Sequence, residues 1–229
     1  MAYKVISLGG SLIWSPNGIN IDYYTKFCKF LCQKDHIKFI IVVGGGQLVR
    51  NIIKAGKEFG LDDDELDVLG IEGTQFNARL LYYLLRKSGL DAYYSEFIDR
   101  ETKGSIEMFD VIITGGTTPG RTTDCVAVEL ADKYGDHTVV NITNIGGVYT
   151  NDPKKDTNAK ILPLIKASKL LEDWGEEHIP GANRPFGITG LKKALETRTT
   201  VYVTGDSIKD LRNILLKGKD FSGTKIIPE

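Results

Sequence analysis

Short runs of β-branched and apolar residues alternate with segments of helical period along the whole chain, and this alternation restricts the possible folds most. The runs at 3–8, 39–43, 111–114, 138–142 and 200–204 are nearly continuous in Val and Ile, as in Phe39-Ile40-Ile41-Val42-Val43. A strand that is apolar on both faces must be covered on both faces, which is the signature of a parallel sheet. Segments at 23–33, 48–59, 74–87, 124–134 and 208–216 place apolar residues three and four apart, the spacing of one helix face. Together they predict an α/β fold, a three-layer sandwich with a mainly parallel central sheet and helices on either side. A length of 229 residues suits one such domain with two lobes, or two small domains.

Charge and apolar content remove several functional classes. Lys and Arg total 29 against 30 Asp and Glu, a formal net charge of −1, so no global field draws the chain to nucleic acid or to an anionic membrane. The run at 39–43 is the longest apolar stretch, well short of the roughly 20 residues that span a bilayer. The start of the chain passes from a short strand into glycines without a signal-peptide core, and a cytoplasmic location is expected. Cys28, Cys32 and Cys125 do not form a disulfide framework. Cys28 and Cys32 share a helix face, yet the other half of a metal site is missing, and both read as buried small hydrophobes. His36, His137 and His178 are widely separated, which disfavours an imidazole-based zinc or triad mechanism. A P-loop is absent, since Gly56-Lys57 precedes Glu58 and Gly218-Lys219 precedes Asp220; G-x-G-x-x-G and the protein-kinase motifs are absent too.

The informative chemistry lies where four of the runs stop. Leu8 leads into Gly9-Gly10-Ser11 and Val43 into Gly44-Gly45-Gly46. Thr114 leads into Gly115-Gly116-Thr117-Thr118-Pro119-Gly120-Arg121-Thr122-Thr123-Asp124, and Ile142 into Thr143-Asn144-Ile145-Gly146-Gly147-Val148-Tyr149. A parallel sheet gathers these turns on one edge, where open α/β folds bind ligands. Glycine lets backbone amides approach phosphate oxygens, and a helix N-terminus favours the anion. Any one of these loops could simply turn the chain. Four together, with Arg50 one helical turn past Gly46 and Arg121 inside the third loop, point to two phosphorylated molecules end to end. Asp124 is either the N-cap of a helix over 125–133 or a ligand to substrate or Mg²⁺. The acidic stretch 60–66 reads as a solvated cap for the next helix. The stretches 101–107 and 174–190 read as irregular excursions, the second long enough to be a mobile flap.

The loops carry a family likeness that covers nearly the whole chain. Leu8-Gly9-Gly10-Ser11, Val42 to Gly46 with Arg50, Leu69-Gly70-Ile71 with Thr74 and Asn77-Ala78, the 115–124 loop, and Thr143-Asn144 leading to Gly147-Val148-Tyr149-Thr150-Asn151-Asp152-Pro153 are similar to motifs of the amino-acid-kinase superfamily. Within it, the chain resembles the archaeal type of uridylate kinase. The resemblance implies an ATP-dependent nucleoside monophosphate kinase of one domain over 1–229, with about 1–135 on the UMP side and about 136–229 on the ATP side. It implies ATP contacts from Gly9, Gly10, Ser11, Gly45, Arg50, Thr143, Tyr149 and Asp152. UMP would be held by Gly44, Asp67 at the ribose hydroxyls, Gly115, Gly116, Thr117, Thr118, Pro119, Gly120, Arg121, Thr122, Thr123 and Asp124, with Arg50 near its phosphate. Arg50, Gly10 and Gly45 would carry the catalysis. Mg²⁺ would enter with ATP through ligands the likeness does not identify, and the implied assembly is a homo-oligomer, a hexamer assembled from dimers.

Three positions depart from the pattern. Ser7 stands where many superfamily members have a lysine two residues before the first Gly-Gly, with Lys4 far back on the same strand. Gly146 replaces a common aspartate, and Gln75 stands where an arginine often follows the threonine. Two rivals follow: a related phosphotransferase with another acceptor, or a non-catalytic nucleotide- or oxyanion-binding protein. Isopentenyl-phosphate kinases carry a histidine soon after the second glycine loop, and Gln47-Leu48-Val49-Arg50 has none.

Overall fold

A computed structural model describes residues 2–33, 37–98, 107–153, 155–175, 184–217 and 220–229. The first half runs β1 (Lys4–Leu8), α1 (Gly10–Ile13), a small hairpin of β2 (Trp14–Ser15) and β3 (Gly18–Ile19), α2 (Ile21–Cys32), β4 (Phe39–Val43), α3 (Gly46–Glu58), α4 (Asp63–Lys87), β5 (Ala92–Tyr94) and β6 (Val111–Thr114). Then follow α5 (Thr123–Tyr134), β7 (Thr138–Ile142), β8 (Leu164–Lys166), α6 (Ala167–Trp174), α7 (Ile188–Glu196), β9 (Thr200–Thr204), α8 (Ile208–Arg212), a wider π turn at Asn213–Lys217, and β10 (Gly223–Ile227).

Eight strands form one sheet in the order β5-β6-β4-β1-β7-β9-β10-β8. Every neighbouring pair is parallel except β9 with β10, so β5, β6, β4, β1, β7 and β9 all point the same way. The period-two alternation of a strand sorts the apolar residues between two cores. Ile6, Leu8, Ile41, Val43, Ile113 and Ile142 pack under Phe27 and Leu31 of α2, Leu81 and Leu85 of α4, and Leu211 of α8. Val5, Ile40, Val42, Ile112, Val139 and Val201 pack under Val126 and Leu130 of α5, Leu170 of α6 and Leu191 of α7. The expected three-layer, mainly parallel α/β sandwich is present.

Several boundaries differ, each for a local reason. The helix expected over 74–87 begins at Asp63, because Asp62 caps it. The Asp62 carboxylate accepts from the Glu65 N–H (2.9 Å) and Glu65 Oε2 accepts from the Asp62 N–H (2.9 Å), a reciprocal capping box. Asp67 therefore sits on α4, not in an acidic loop. The helix continues through Gly73 because Val49 of α3 fills that face: a Cβ there would lie 2.5 Å from Val49 Cγ2. Strands β5, β8 and β10 are short and were not expected, and α7 begins inside the stretch read as irregular. Most of 101–107, residues 176–183 of the proposed flap, His36 and His178 lie outside the described residues. Cys28 is buried as expected, whereas Cys32 faces solvent at the last turn of α2. Among the described residues no helix is long and apolar enough to cross a membrane.

Candidate active site

The loops after β1, β4, β6 and β7 share one rim of the sheet, and backbone contacts join three of them. Gly9 N–H donates to Ile142 O (2.8 Å), Gly44 N–H to Leu8 O (2.9 Å) and Thr143 N–H to Thr204 O (2.9 Å), prolonging the strand ladders into the turns. A Cβ on Gly10 would lie 2.1 Å from Gly46 N and 2.5 Å from Gly44 C, so the first two glycine loops touch backbone to backbone. Gly46 adopts φ +63 and opens α3. The first amides of that helix have no partner within it and form a positive terminus at the rim. Ser11 is half-buried in α1, next to this junction.

On one side of the junction α4 and the 115–124 loop enclose a cavity of about 220 Å³. Asp67, Gly116, Thr118, Pro119, Gly120, Arg121, Thr122 and Thr123 line it, with Thr74. Side chains of α4 hold the loop by its backbone. Gly120 N–H donates to Asp67 Oδ2 (2.7 Å) and Gly116 N–H to Thr74 Oγ1 (2.7 Å). Gly115 N–H donates to Gln75 Oε1 (3.2 Å), and Gln75 Nε2 donates back to Gly116 O (2.5 Å). Gly44, Gly115, Thr117 and Asp124 fall outside this lining. Thr117 instead borders a cavity of about 350 Å³ on the α5 side of the loop. There Arg121 Nη1 meets Glu129 Oε2 at 3.1 Å.

Asp124 is not the N-cap of α5; Thr122 is, accepting from the Cys125 N–H (3.3 Å). Asp124 Oδ1 accepts from the Ser7 hydroxyl (2.9 Å) and Oδ2 from the Gly187 N–H (2.8 Å). Its carboxyl group is enclosed, although the residue as a whole keeps some exposure. Burial pushes its pKa above the usual carboxylate value, and the two hydrogen bonds oppose that rise. Asp124 thus ties β1 and α5 to the segment entering α7, at the strand position where the superfamily often has a lysine. Lys4 is at the opposite edge of the sheet, paired with Asp136 at 2.5 Å.

On the other side of the junction, a cavity of about 420 Å³ is lined by Asn144, Tyr149, Asn151, Asp152, Trp174 and Arg184, among others. Tyr149 and Asp152 were singled out from the sequence. Thr143 was too, but it is 8% exposed and lies behind the lining. Trp174 and Arg184 were missed: the guanidinium lies 5.7 Å from the indole centroid, and Nη2 donates to Trp174 O (2.6 Å). The clue was present in an Arg and a Trp flanking a Pro- and Gly-rich excursion. Arg50 lines neither of these two cavities. It is exposed on α3, with Nε and Nη2 donating to Gln47 Oε1 at 3.2 and 3.1 Å. Among the described residues no three His, Cys, Asp or Glu converge as a metal site.

Neither cavity lining includes Gly9, Gly10, Gly44, Gly45 or Gly46; the loops that line the two cavities follow β6 and β7, on either side of β4 and β1 in the sheet. The Amino acid kinase family profile matches residues 2–205. The uridylate kinase of Thermoplasma volcanium is 33% identical over 223 residues, covering 97% of this chain and 96% of that one. That of Pyrococcus abyssi is 36% identical, covering 98% and 99%. Among solved structures, the uridylate kinase of Archaeoglobus fulgidus superposes with a TM-score of 0.76 at 28% identity, over 99% of this chain and all of that one.

Proposed function

The chain belongs to the amino acid kinase family, and from that premise we propose that it transfers the γ-phosphoryl group of ATP to UMP, giving UDP and ADP for pyrimidine nucleotide synthesis. It is a nucleoside monophosphate kinase. The observation that supports the reading is the backbone contact of Gly10 with Gly44 and Gly46, an amide-rich junction at the ends of β1 and β4, between the strands β6 and β7 whose loops line the two cavities.

UMP occupies the cavity beneath α4, with Asp67 turning from Gly120 to the ribose hydroxyls and the 115–123 loop reading the uracil edge. A carboxylate accepts two hydroxyls well and repels phosphate, so Asp67 marks the sugar end. ATP occupies the opposite cavity, its adenosine beside Tyr149 and Asp152 with Thr143 behind, and its phosphates reach Gly9, Gly10, Ser11 and Gly45. The N-terminal part of the chain, to about residue 135, thus forms the UMP cavity and the remainder the adenosine cavity, with the glycine loops of the N-terminal part meeting the ATP phosphates between them. A phosphate monoester is already a competent nucleophile near neutral pH, so no general base is needed. The protein aligns the two esters in line and neutralises charge through loop amides, the α3 terminus and Arg50, which leaves Gln47 for the phosphates. Mg²⁺ would enter this site with ATP, since among the described residues no three His, Cys, Asp or Glu converge to hold it alone. When bound it neutralises charge on the ATP oxygens. The chain acts in the cytoplasm. Exposed apolar side chains on α4 and at the start of α2, Phe76, Tyr83 and Ile21, support assembly into a homo-oligomer, a hexamer by family likeness.

A coupled ADP-release assay across UMP, CMP, isopentenyl phosphate, carbamate and amino acids tests the reading, which fails if UMP gives no stimulation. Binding of ATP and UMP without UDP formation would make the chain a nucleotide-binding protein. Arg50→Ala should lower kcat/KM by roughly a hundredfold or more while the exposed position leaves the fold intact.

A further inference from the structure

Asn77 of α4 is fully buried, at 0% exposure, and two of its three side-chain hydrogen bonds reach the glycine junction. Nδ2 donates to Gly44 O (2.9 Å) and to Gly45 O (3.1 Å), and Oδ1 accepts from Trp14 Nε1 (2.7 Å). Two carbonyls on one side and an indole N–H on the other allow a single orientation of the carboxamide. In a trans peptide the C=O and the following N–H point in opposite directions, and the chain has no cis bonds among its described residues. Drawing the carbonyls of Gly44 and Gly45 into α4 therefore turns the N–H groups of Gly45 and Gly46 the other way. The Gly46 nitrogen sits at the contact with Gly10, 2.1 Å from where a Gly10 Cβ would lie.

We infer that Asn77 is a positioning residue for phosphoryl transfer: it sets the direction of the Gly45 and Gly46 amides, and Trp14 fixes Asn77 in turn. The inference rests on the kinase reading above. It assigns α4 a second task besides holding the acceptor loop, since one helix then governs both the loop around UMP and the amides facing the transferred group. A residue needed only for folding would lose activity in step with stability. One that aims amides at the reacting phosphoryl group lowers turnover in molecules that remain folded.

The test uses the full-length chain with Asn77→Asp, Asn77→Ala and Trp14→Phe, measuring kcat, KM for ATP and UMP, and thermal unfolding. Asn77→Asp keeps the shape and the Trp14 contact but donates to neither carbonyl when ionised and to only one when protonated. We expect kcat to fall about a hundredfold in both Asn77 variants with KM changed less than about threefold, and about threefold to tenfold in Trp14→Phe. Wild-type kcat in folded Asn77 variants, or activity falling only in step with the folded fraction, overturns the assignment. If neither Asn77 variant folds, Trp14→Phe decides, and an unchanged kcat there overturns it. A wild-type chain that makes no UDP defeats the kinase reading itself, whereas an active wild type with unaffected variants defeats the role of Asn77 alone.

Discussion

The two sides of the rim are built by opposite means. The loop of the proposed acceptor cavity is anchored by α4 at its base, where Thr74 and Gln75 are each 8% exposed and bond Gly116 and Gly115 directly, while its tip at 118–121 is exposed. The donor cavity is walled by side chains from separate loops, with Asn144, Asn151 and Asp152 exposed and Trp174 and Arg184 half-buried. The loop base at Gly115 and Gly116, fixed by buried hydrogen bonds, has little freedom to shift for a different base, because any shift leaves polar groups unpaired in the interior. A wall of partly exposed side chains can rotate to suit its ligand. Selectivity is thus expected on the UMP side and tolerance on the ATP side.

The largest effect should come where the two sides meet. Gly10→Ala forces a methyl group into Gly44 and Gly46, whose backbones cannot yield; a loss of about 3 kcal/mol or more is expected, with activity abolished. A thermal melt and a turnover assay check it, and a stable, active variant would show that the junction is looser than described. Next, Asp67→Asn should raise KM for UMP roughly tenfold to a hundredfold and leave KM for ATP unchanged. Equal effects on both substrates would erase the division between the sides. Arg184→Ala should raise KM for ATP only about two- to fivefold, because the Trp174 contact is partly exposed. A larger change would mean that the donor wall is no more adaptable than the acceptor wall.

The smallest effect expected is a gain in stability at the tie between the sides. Asn at position 124 can still accept from Gly187 N–H and donate to Ser7 Oγ, without a buried charge, so Asp124→Asn should raise the melting temperature by a few degrees near neutral pH. The folded pKa of Asp124 is raised, so the folded state binds the proton more tightly than the unfolded chain. The wild type gains stability from this group as pH falls from above the folded pKa towards the ordinary carboxylate value, and loses it as pH rises. The advantage of the Asn variant should accordingly shrink on acidification. A pH-independent difference would rule out burial of the charge as its cause.

Legibility in the sequence followed how locally each feature is determined. Phe39 to Val43 announces a strand buried on both faces, and Asp62 with Glu65 announces a helix start, because the residues concerned are neighbours. The helix nonetheless starts eleven residues before the expected position, since Gly70 and Gly73 weaken its pattern, and only the packing of Val49 of the adjoining helix explains Gly73. Strands β8 and β10 are not legible in the sequence: Leu164-Ile165-Lys166 is short, Gly223-Thr224-Lys225-Ile226-Ile227 is mixed in polarity, and it is the pairing of β10 with β8 on one side and β9 on the other that makes them strands. Asp124 could be narrowed to a cap or a ligand. Its actual partners are 117 and 63 residues away, at Ser7 and Gly187.

By itself the sequence determined the layer architecture, the edge on which the glycine turns gather and the family, since periodicity and loop composition are written in consecutive residues. Only the tertiary structure decided that Asn77 reaches two carbonyls 33 and 32 residues away, that Thr122 rather than Asp124 caps its helix, and that Trp174 and Arg184 close one wall. Each of these depends on a hydrogen bond or contact between distant parts of the chain. Such pairings exist only once the sheet has set the distances between its loops.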